Sequence, residues 1–268
     1  MMEITSVQNP KIKHLLLLQQ KSQQRRREGL FVVEGVRELQ HCIEAGYELD
    51  SLFVCPELMN RATVEHGFSR NLVASFTLPP SLYERVAYRG STEGVIAIVK
   101  ERCMTLLNLK SQISILKSPL IMVLEGVEKP GNLGAVLRSA DAAKADAVIV
   151  CDPLTDLYNP NLIRASIGAV FTVPTVACSS EECIAFLKEL GIRILTAQLQ
   201  DSHLYYDTDM RLPTALVMGT EATGLTQQWR EAADAHIRIP MLGRLDSLNV
   251  SVSAAILLFE AIRQRSIK

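Results

Sequence analysis

The fold of this chain is decided by residues 120–141, whose sequence is LIMVLEGVEKPGNLGAVLRSAD. The apolar run at residues 120–124 is typical of a strand buried on both faces of a parallel sheet. A glycine-containing loop follows, and a helical pattern begins after it. The apolar residues of that helix recur at positions i, i+3, i+4 and i+7, namely Leu133, Val136, Leu137 and Ala140. The segment therefore predicts a strand, a loop and a helix in succession, which is the repeating unit of an α/β domain.

The spacing of the loop glycines argues against two nucleotide sites. A dinucleotide fingerprint needs glycines two and then three residues apart, whereas Gly126, Gly131 and Gly134 are five and three apart. A P-loop needs a lysine after its second glycine, where Asn132 stands here. A nicotinamide-dependent oxidoreductase is therefore disfavoured. The same helix places Arg138 off its apolar stripe, where the guanidinium can contact a phosphate or form a surface ion pair.

Strand and helix patterns alternate on both sides of this segment. Downstream, strands are predicted at 147–150, 192–197, 215–218 and 236–239, and helices at 132–143, 159–168, 180–190, 226–233 and 250–265. This alternation predicts a mostly parallel sheet covered on both faces. Upstream, a helix is predicted to begin at Asn9-Pro10, with strands at 31–33, 52–54 and 95–99 and helices near 35–45, 57–66 and 80–88. We expect one domain at 1–105, a linker at 106–118 that is open to a helical conformation, and a second domain at 119–268.

Charge is balanced over the chain but not within it. The 28 basic and 29 acidic residues nearly cancel, which excludes a histone-like polycation. Between residues 10 and 30, six basic residues face one acidic residue. Such a cluster can bind the phosphates of a nucleic acid, although a solvated helix face explains it as well.

The patterns of cysteine, histidine and hydropathy exclude several classes of protein. The six cysteines contain no C-x-x-C pair and the five histidines are dispersed, so we expect no metal site and no disulfide framework. No apolar run approaches the ~18–20 residues of a membrane helix, and the N-terminus lacks a signal-peptide pattern. We therefore expect a cytoplasmic protein with buried free thiols and no contact with a membrane.

Two further loops place small or polar residues after predicted strands. Gly219 and Glu221 follow the strand at 215–218, and Ser247 and Asn249 precede the last helix. Ligands of open α/β sheets bind beyond the carboxyl ends of the strands, and a glycine there lets a ligand approach the backbone. Capping of the following helices is the alternative role for the three polar residues.

Three stretches together resemble the signature motifs of the SpoU family, also called the TrmH family, of RNA ribose 2′-O-methyltransferases. The matching strings are PGNLGAVLRSA at 130–140, MGTEATGL at 218–225, and IPM at 239–241 continuing to SLNVSVS at 247–253. They occur in the family's order and spacing. The strings NPKIK at 9–13 and FVVEG at 31–35 look like the family's RNA substrate-binding domain.

The resemblance implies an α/β fold in which a trefoil-knotted SPOUT methyltransferase domain follows a small ribosomal-protein-like α/β domain. It also implies S-adenosylmethionine as methyl donor, an obligate homodimer and an RNA substrate. We expect ribosomal RNA, because the N-terminal domain resembles that of ribosomal RNA modifiers. A transfer RNA ribose methyltransferase and a non-catalytic RNA-binding ribosome-assembly protein are the alternatives.

The resemblance also implies roles for particular residues. Cofactor contacts, made largely by the backbone of the knotted loops, carry over to Gly219, Ile239, Met241 and Leu248. Arg138 matches the family's catalytic arginine, and its other functional polar positions match Asn132, Glu221, Ser247 and Asn249. We expect RNA contacts from the N-terminal basic cluster, namely Lys11, Lys13, Arg25, Arg26 and Arg27.

Arg138 can act in two ways. The family analogy gives it a part in deprotonating the ribose hydroxyl. Because an arginine side chain normally stays protonated, we favour a fixed positive charge that stabilises the developing alkoxide and the adjacent phosphate. Both roles stay open at the level of the sequence.

Overall fold

The computed structural model describes residues 2–59, 74–88, 93–220, 223–245 and 247–266. The chain forms two compact units, of which the first comprises Met1–Arg102 with Asp156–Thr172. The second comprises Cys103–Thr155 with Val173–Lys268. The sequence-based division keeps 119–268 together, whereas in the structure residues 156–172 belong to the first unit. Within the described residues, no helix is both long enough and apolar enough to cross a bilayer.

The strands and helices of the described residues are numbered in chain order. The strands are β1 (Met2–Glu3), β2 (Leu30–Glu34), β3 (Leu49–Val54), β4 (Ala74–Thr77), β5 (Val95–Lys100), β6 (Leu120–Glu125), β7 (Ala147–Cys151), β8 (Thr175–Cys178), β9 (Arg193–Ala197), β10 (His203–Leu204), β11 (Thr214–Met218) and β12 (Ala235–Arg238). The helices are α1 (Pro10–Gln20), α2 (Ser22–Glu28), α3 (Val36–Glu44), α4 (Pro80–Val86), α5 (Leu106–Ile113), α6 (Pro130–Ala142), α7 (Pro160–Ser166), α8 (Ala169–Thr172), α9 (Ser180–Glu189), α10 (Gln227–Ala232) and α11 (Val250–Ser266).

The first unit contains a five-stranded mixed sheet in the order β1-β4-β3-β5-β2. Strand β5 pairs antiparallel with both β2 and β3, and the remaining pairs are parallel. Helix α1 begins as predicted, because the side chain of Asn9 accepts a hydrogen bond from Lys11 N and Pro10 occupies the first helical position. The buried face of α1, with Ile12, Leu15 and Leu18, joins the core of this unit.

The second unit contains a seven-stranded sheet in the order β10-β12-β9-β11-β6-β7-β8. Every neighbouring pair is parallel, which confirms the predicted parallel sheet. Side chains on one face of the sheet, including Ile121 and Val123, share a core with residues of α5, α9 and α10. Helix α11 packs on α6, β6 and β11. Helices therefore cover both faces of the central strands of this sheet, as expected for parallel strands.

The connectivity of the second unit places β11 between β9 and β6, although β6 and β9 precede it in the chain. The chain then continues to β12 on the far side of β9, and α11 returns to β6 and β11. A C-terminal segment that returns past strands formed earlier is consistent with the trefoil knot of the expected fold.

Three differences from the sequence prediction concern short elements. Strands β4 and β8, of four residues each, were not predicted. The expected linker contains α5, whose Leu109 and Ile113 are buried. The predicted helix 159–168 is found as α7, which ends at Ser166 because Ile167 and Gly168 adopt positive φ values of 55° and 80°, and the short helix α8 after it was not predicted. Most of the helix predicted near 57–66 lies outside the described residues.

Candidate active site

A cavity of about 410 Å³ lies at the carboxyl ends of β9, β11 and β12. All four residues expected to bind the cofactor line it, namely Gly219, Ile239, Met241 and Leu248. Ser247 lines it as well. Parallel strands release their loops at the same edge of a sheet, so residues separated by about thirty positions in sequence meet there. The cavity therefore has the position and size of a small-molecule site.

Gly219 has a further structural role that the sequence did not indicate. A Cβ atom at this position would lie 2.2 Å from the carbonyl carbon and oxygen of Gly224 and 2.5 Å from Leu225 N. Thr220 and Gly224 form an isolated antiparallel bridge, so the loop after β11 folds back onto the end of its own strand. Glycine is needed here for the packing of the loop itself, in addition to any approach of a ligand.

The cavity wall carries two buried polar atoms without a hydrogen-bond partner among the described residues, Gln198 Oε1 and Arg230 Nε. Leaving such an atom unpaired costs about 1–3 kcal/mol, so the wall fits a ligand that brings polar groups. The apolar residues Leu225 and Ile239 line the same cavity. A mixed lining of this kind fits S-adenosylmethionine, which combines an amino acid, a sugar and a flat base. Neither Gln198 nor Arg230 was predicted, because no motif marks either residue.

Asn132 and Asn249 are brought together by the ends of two helices. Asn249 caps α11, because its Oδ1 accepts hydrogen bonds from Ser251 N at 3.0 Å and Ser251 Oγ at 2.6 Å. Its Nδ2 donates to Asn132 Oδ1 at 3.2 Å, in the first turn of α6. The capping role considered for Asn249 is therefore observed, and the same residue links the loop beside the cavity to α6.

Arg138 lies on the exposed side of α6, whose buried residues include the predicted Leu133, Val136, Leu137 and Ala140. Among the described residues that line the cavity, Arg138 is not included. The structure thus places Arg138 on the helix that Asn249 contacts, outside the cavity wall. Glu221 lies outside the described residues.

A buried carboxylate holds the start of α10 against the end of β6. Glu125 accepts hydrogen bonds from Thr226 N at 2.9 Å and from Thr226 Oγ1 at 2.6 Å. Trp229 Nε1 donates to Ser180 Oγ at 2.9 Å in the same region. These bonds fix the end of the loop that follows β11, which forms part of the cavity wall. The sequence placed Glu125 after a strand but gave no signal for this role.

The expected RNA-binding residues of the first unit divide into two groups. Lys11, Lys13, Arg26 and Arg27 are exposed. Arg25 is only 4% exposed, and its guanidinium contacts Asp156 Oδ2 at 2.7 Å and the backbone oxygens of Leu18 and Gln19. The assignment of Arg25 to RNA contact is therefore corrected: its charge is already paired inside the unit.

Comparisons with known proteins match both parts of the chain. The model of the SpoU rRNA Methylase family matches residues 119–259, and that of the MRM3-like substrate binding domain matches residues 9–97. The 23S rRNA (guanosine-2'-O-)-methyltransferase RlmB of Escherichia coli K12 is 40% identical over 176 residues, which cover 65% of this chain and 72% of that protein. The RlmB protein of Pectobacterium atrosepticum is 38% identical over 175 residues, which cover 65% of this chain and 72% of that protein.

Two solved structures extend the similarity to almost the whole chain. A crystal structure of an RNA 2'-O ribose methyltransferase covers 98% of this chain and 99% of its own, with 38% identity and a TM-score of 0.82. The AdoMet-bound rRNA methyltransferase from Sinorhizobium meliloti covers 97% of both chains, with 28% identity and a TM-score of 0.87. The family model spans more than half of the 268 residues and agrees with the three motifs. The chain therefore belongs to the SpoU rRNA methylase family.

Proposed function

We propose that this protein transfers a methyl group from S-adenosylmethionine to the 2′-hydroxyl of a ribose in ribosomal RNA. The observation that carries the proposal is the convergence of Gly219, Ile239, Met241 and Leu248 on one cavity at the strand ends. The similar RlmB proteins are named as 23S rRNA methyltransferases, and the similar Sinorhizobium meliloti structure has AdoMet bound.

The residues of this chain would position the reactants and stabilise charge. Bound S-adenosylmethionine would supply an electrophilic methyl group. Backbone groups of Gly219, Ile239 and Leu248 would hold it, with Met241 and Ser247 beside it. Arg138 would stabilise the oxygen of the attacking ribose and the neighbouring phosphate through its fixed positive charge.

Asn132 and Asn249 are proposed as positioning residues. Their side chains join the first turn of α6, the helix that carries Arg138, to the segment that follows Ser247 and Leu248. This bond would keep the guanidinium in register with the cavity, and positioning within a fraction of an ångström has a large effect on rate. Glu221, which lies outside the described residues, is proposed as a further functional polar residue on the strength of the motif alone.

We propose that two copies of the chain form a homodimer through α11. The buried side of this helix includes Ala254, Leu257 and Leu258, yet Val252 and Phe259 on another side are 47% and 49% exposed. Residues seven apart share one face of a helix. A helix that is apolar on two faces is expected to pack on both.

The proposed RNA contacts rest on exposed cations of the first unit. Lys11, Lys13, Arg26 and Arg27 lie on α1 and α2 within one short stretch. Exposed Lys and Arg side chains bind phosphates and release counterions, and of these four residues Arg27 also lies 3.4 Å from Glu28 Oε1. The proposal also places the enzyme and its RNA in the cytoplasm. All six cysteines are free, and free thiols are typical of a reducing compartment.

Methyl transfer to purified ribosomal RNA, followed by mapping of the methylated riboses, tests the proposal. We expect incorporation into ribosomal RNA and none into transfer RNA. Arg138→Ala is expected to lower turnover by about 10²–10³-fold, the range for loss of one stabilising group in a transition state. Titration calorimetry should show S-adenosylmethionine binding by this variant within a few-fold of the native protein.

Lys188→Ala provides a control, because Lys188 is an exposed cation in the last turn of α9. We expect native turnover from it. Turnover by Arg138→Ala within a few-fold of native would contradict the role of Arg138. Absence of heat with S-adenosylmethionine would contradict the enzymatic function and favour a non-catalytic RNA-binding protein.

A further inference from the structure

Three cysteines that are separated in sequence lie together in the second unit. The sulfur atoms of Cys151, Cys178 and Cys183 are all within 4.8 Å of one another. Cys151 ends β7 and Cys178 ends β8, and the two residues are paired across these strands. Cys183 lies in the first turns of α9. The register of the sheet brings these cysteines together. Because a sequence motif does not record sheet register, the sequence showed no metal-ligand spacing.

The start of α9 explains why Cys183 meets the other two. Ser179 caps this helix and forms a capping box with Glu182. Cys178 then precedes the cap and Cys183 is the fourth helical residue. Residues at these two positions commonly pack against each other across a helix start. Rigid elements on both sides therefore fix the relative positions of the three thiols.

The cluster is separate from the proposed methyl-transfer site. Cys151 and Cys183 pack with Ile121 and Val123 on the sheet face covered by α9. Helix α6 with Arg138 packs with α11 instead. Among the described residues that line the cavity, there is no cysteine.

The three thiols have the chemistry of a soft-metal site. A Zn–S bond of about 2.3 Å in tetrahedral geometry places sulfurs about 3.8 Å apart, so shifts of about 1 Å or less would bring these atoms onto one ion. Cys151 and Cys183 are buried, while Cys178 is half-buried and gives a route from solvent. The deprotonated thiolate is the form of cysteine that binds a metal ion.

We propose that Cys151, Cys178 and Cys183 form a three-thiolate site for a soft d¹⁰ metal ion. Thiolates select ions of this class over hard cations such as Mg²⁺. On binding, each of the three thiols loses its proton to solvent and its sulfur forms a bond to the ion, whose oxidation state does not change. Three protein ligands leave one tetrahedral position for a water molecule. The bound ion would tie β7, β8 and α9 together and stabilise the folded chain, because the unfolded chain has no preformed site.

Titration of the fully reduced protein with Cd²⁺ tests this inference, because cadmium–thiolate bonds have a charge-transfer absorbance in the ultraviolet. We expect a band that saturates at one ion per chain, release of protons into a weakly buffered solution, and a higher Tm. In Cys178→Ser and Cys183→Ala, Cd²⁺ affinity should fall at least tenfold and the rise in Tm should disappear.

Cys103→Ser and Cys42→Ser are matched controls, since Cys103 is exposed and Cys42 is buried in the first unit. Both should keep the native band. Absence of a band in the reduced native protein, or an unchanged band in Cys178→Ser, would overturn the proposal. Because Cys178 is half-buried, this variant decides the question even if Cys183→Ala does not fold. The readouts do not involve methyl transfer, so failure of either proposal is recognised separately.

Discussion

Two glycines of the proposed active-site region differ in what surrounds them. A Cβ atom at Gly219 would collide with the backbone of Gly224, whereas one at Gly243 would meet nothing within 4 Å. The backbone cannot yield as a flexible side chain does, so Gly219→Ala must displace the loop after β11. We expect S-adenosylmethionine affinity to fall at least tenfold and stability to fall by about 1–3 kcal/mol, the usual range for overpacking.

Calorimetry with S-adenosylmethionine and denaturant unfolding measure these two effects. Gly243→Ala is the control, and we expect its stability to stay within about 0.5 kcal/mol of native. Equal behaviour of the two variants would mean that the collision at residue 219 does not constrain the cavity.

Neighbouring arginines of α2 also divide by environment. Arg25 and Asp156 form an ion pair whose side chains are 5% and 10% exposed. Arg25→Ala would leave a buried carboxylate unpaired, which costs about 3–5 kcal/mol. We therefore expect Arg25→Ala to lower the free energy of unfolding, as measured in urea.

Arg26→Ala is expected to weaken RNA binding without lowering the free energy of unfolding. Its side chain is exposed, so stability should stay near native while RNA affinity falls. The slope of log affinity against log salt should also decrease by about 0.7–0.9 for each lost phosphate contact. A native salt slope for Arg26→Ala would argue that RNA binds elsewhere.

At the scale of elements, hydrophobic patterning predicted long strands and helices better than short ones. Strands β6 and β11 are six and five residues long and are buried throughout. Strand β8 has four residues, of which only one is fully buried, so its pattern carries little signal. The break between α7 and α8 depends on Ile167 with φ of 55°, a conformation rare for a β-branched residue. Composition could not indicate that break.

The segment expected to be a linker shows why burial is needed to classify a helix. In α5, Leu109 is fully buried in the core of the second unit, while Leu107 is 74% exposed. Leu109→Ala should lower stability by about 2–5 kcal/mol because it leaves a cavity in that core. Leu107→Ala should have an effect within about 0.5 kcal/mol. Chemical denaturation measures both, and equal effects would mean that α5 is not part of the core.

At the scale of the whole molecule, the site depends on contacts between distant parts of the chain. Family motifs predicted the cavity residues because Gly219, Ile239 and Leu248 follow parallel strands that end at one edge. The wall residues Gln198 and Arg230, and the three-cysteine cluster, come from other parts of the sheet and its helices. Their proximity follows from strand order and register, which a single sequence does not state. The local sequence pattern therefore predicted the loops and the buried faces of the elements. The topology of the sheet decided which side chains lie next to each other.

The proposed homodimer gives the prediction for the assembled molecule. Val252 and Phe259 form an apolar stripe on the outer side of α11, and a stable interface buries about 1,200–2,000 Å² in total. A charge at the centre of such an interface would be desolvated without a partner. Phe259→Asp is therefore expected to convert a species of twice the 29.7 kDa chain mass into a monomer in light scattering. Ile115→Asp, at a residue 83% exposed in the turn after α5, should stay dimeric. A native mass for Phe259→Asp, or a monomeric native protein, would show that α11 does not form the interface.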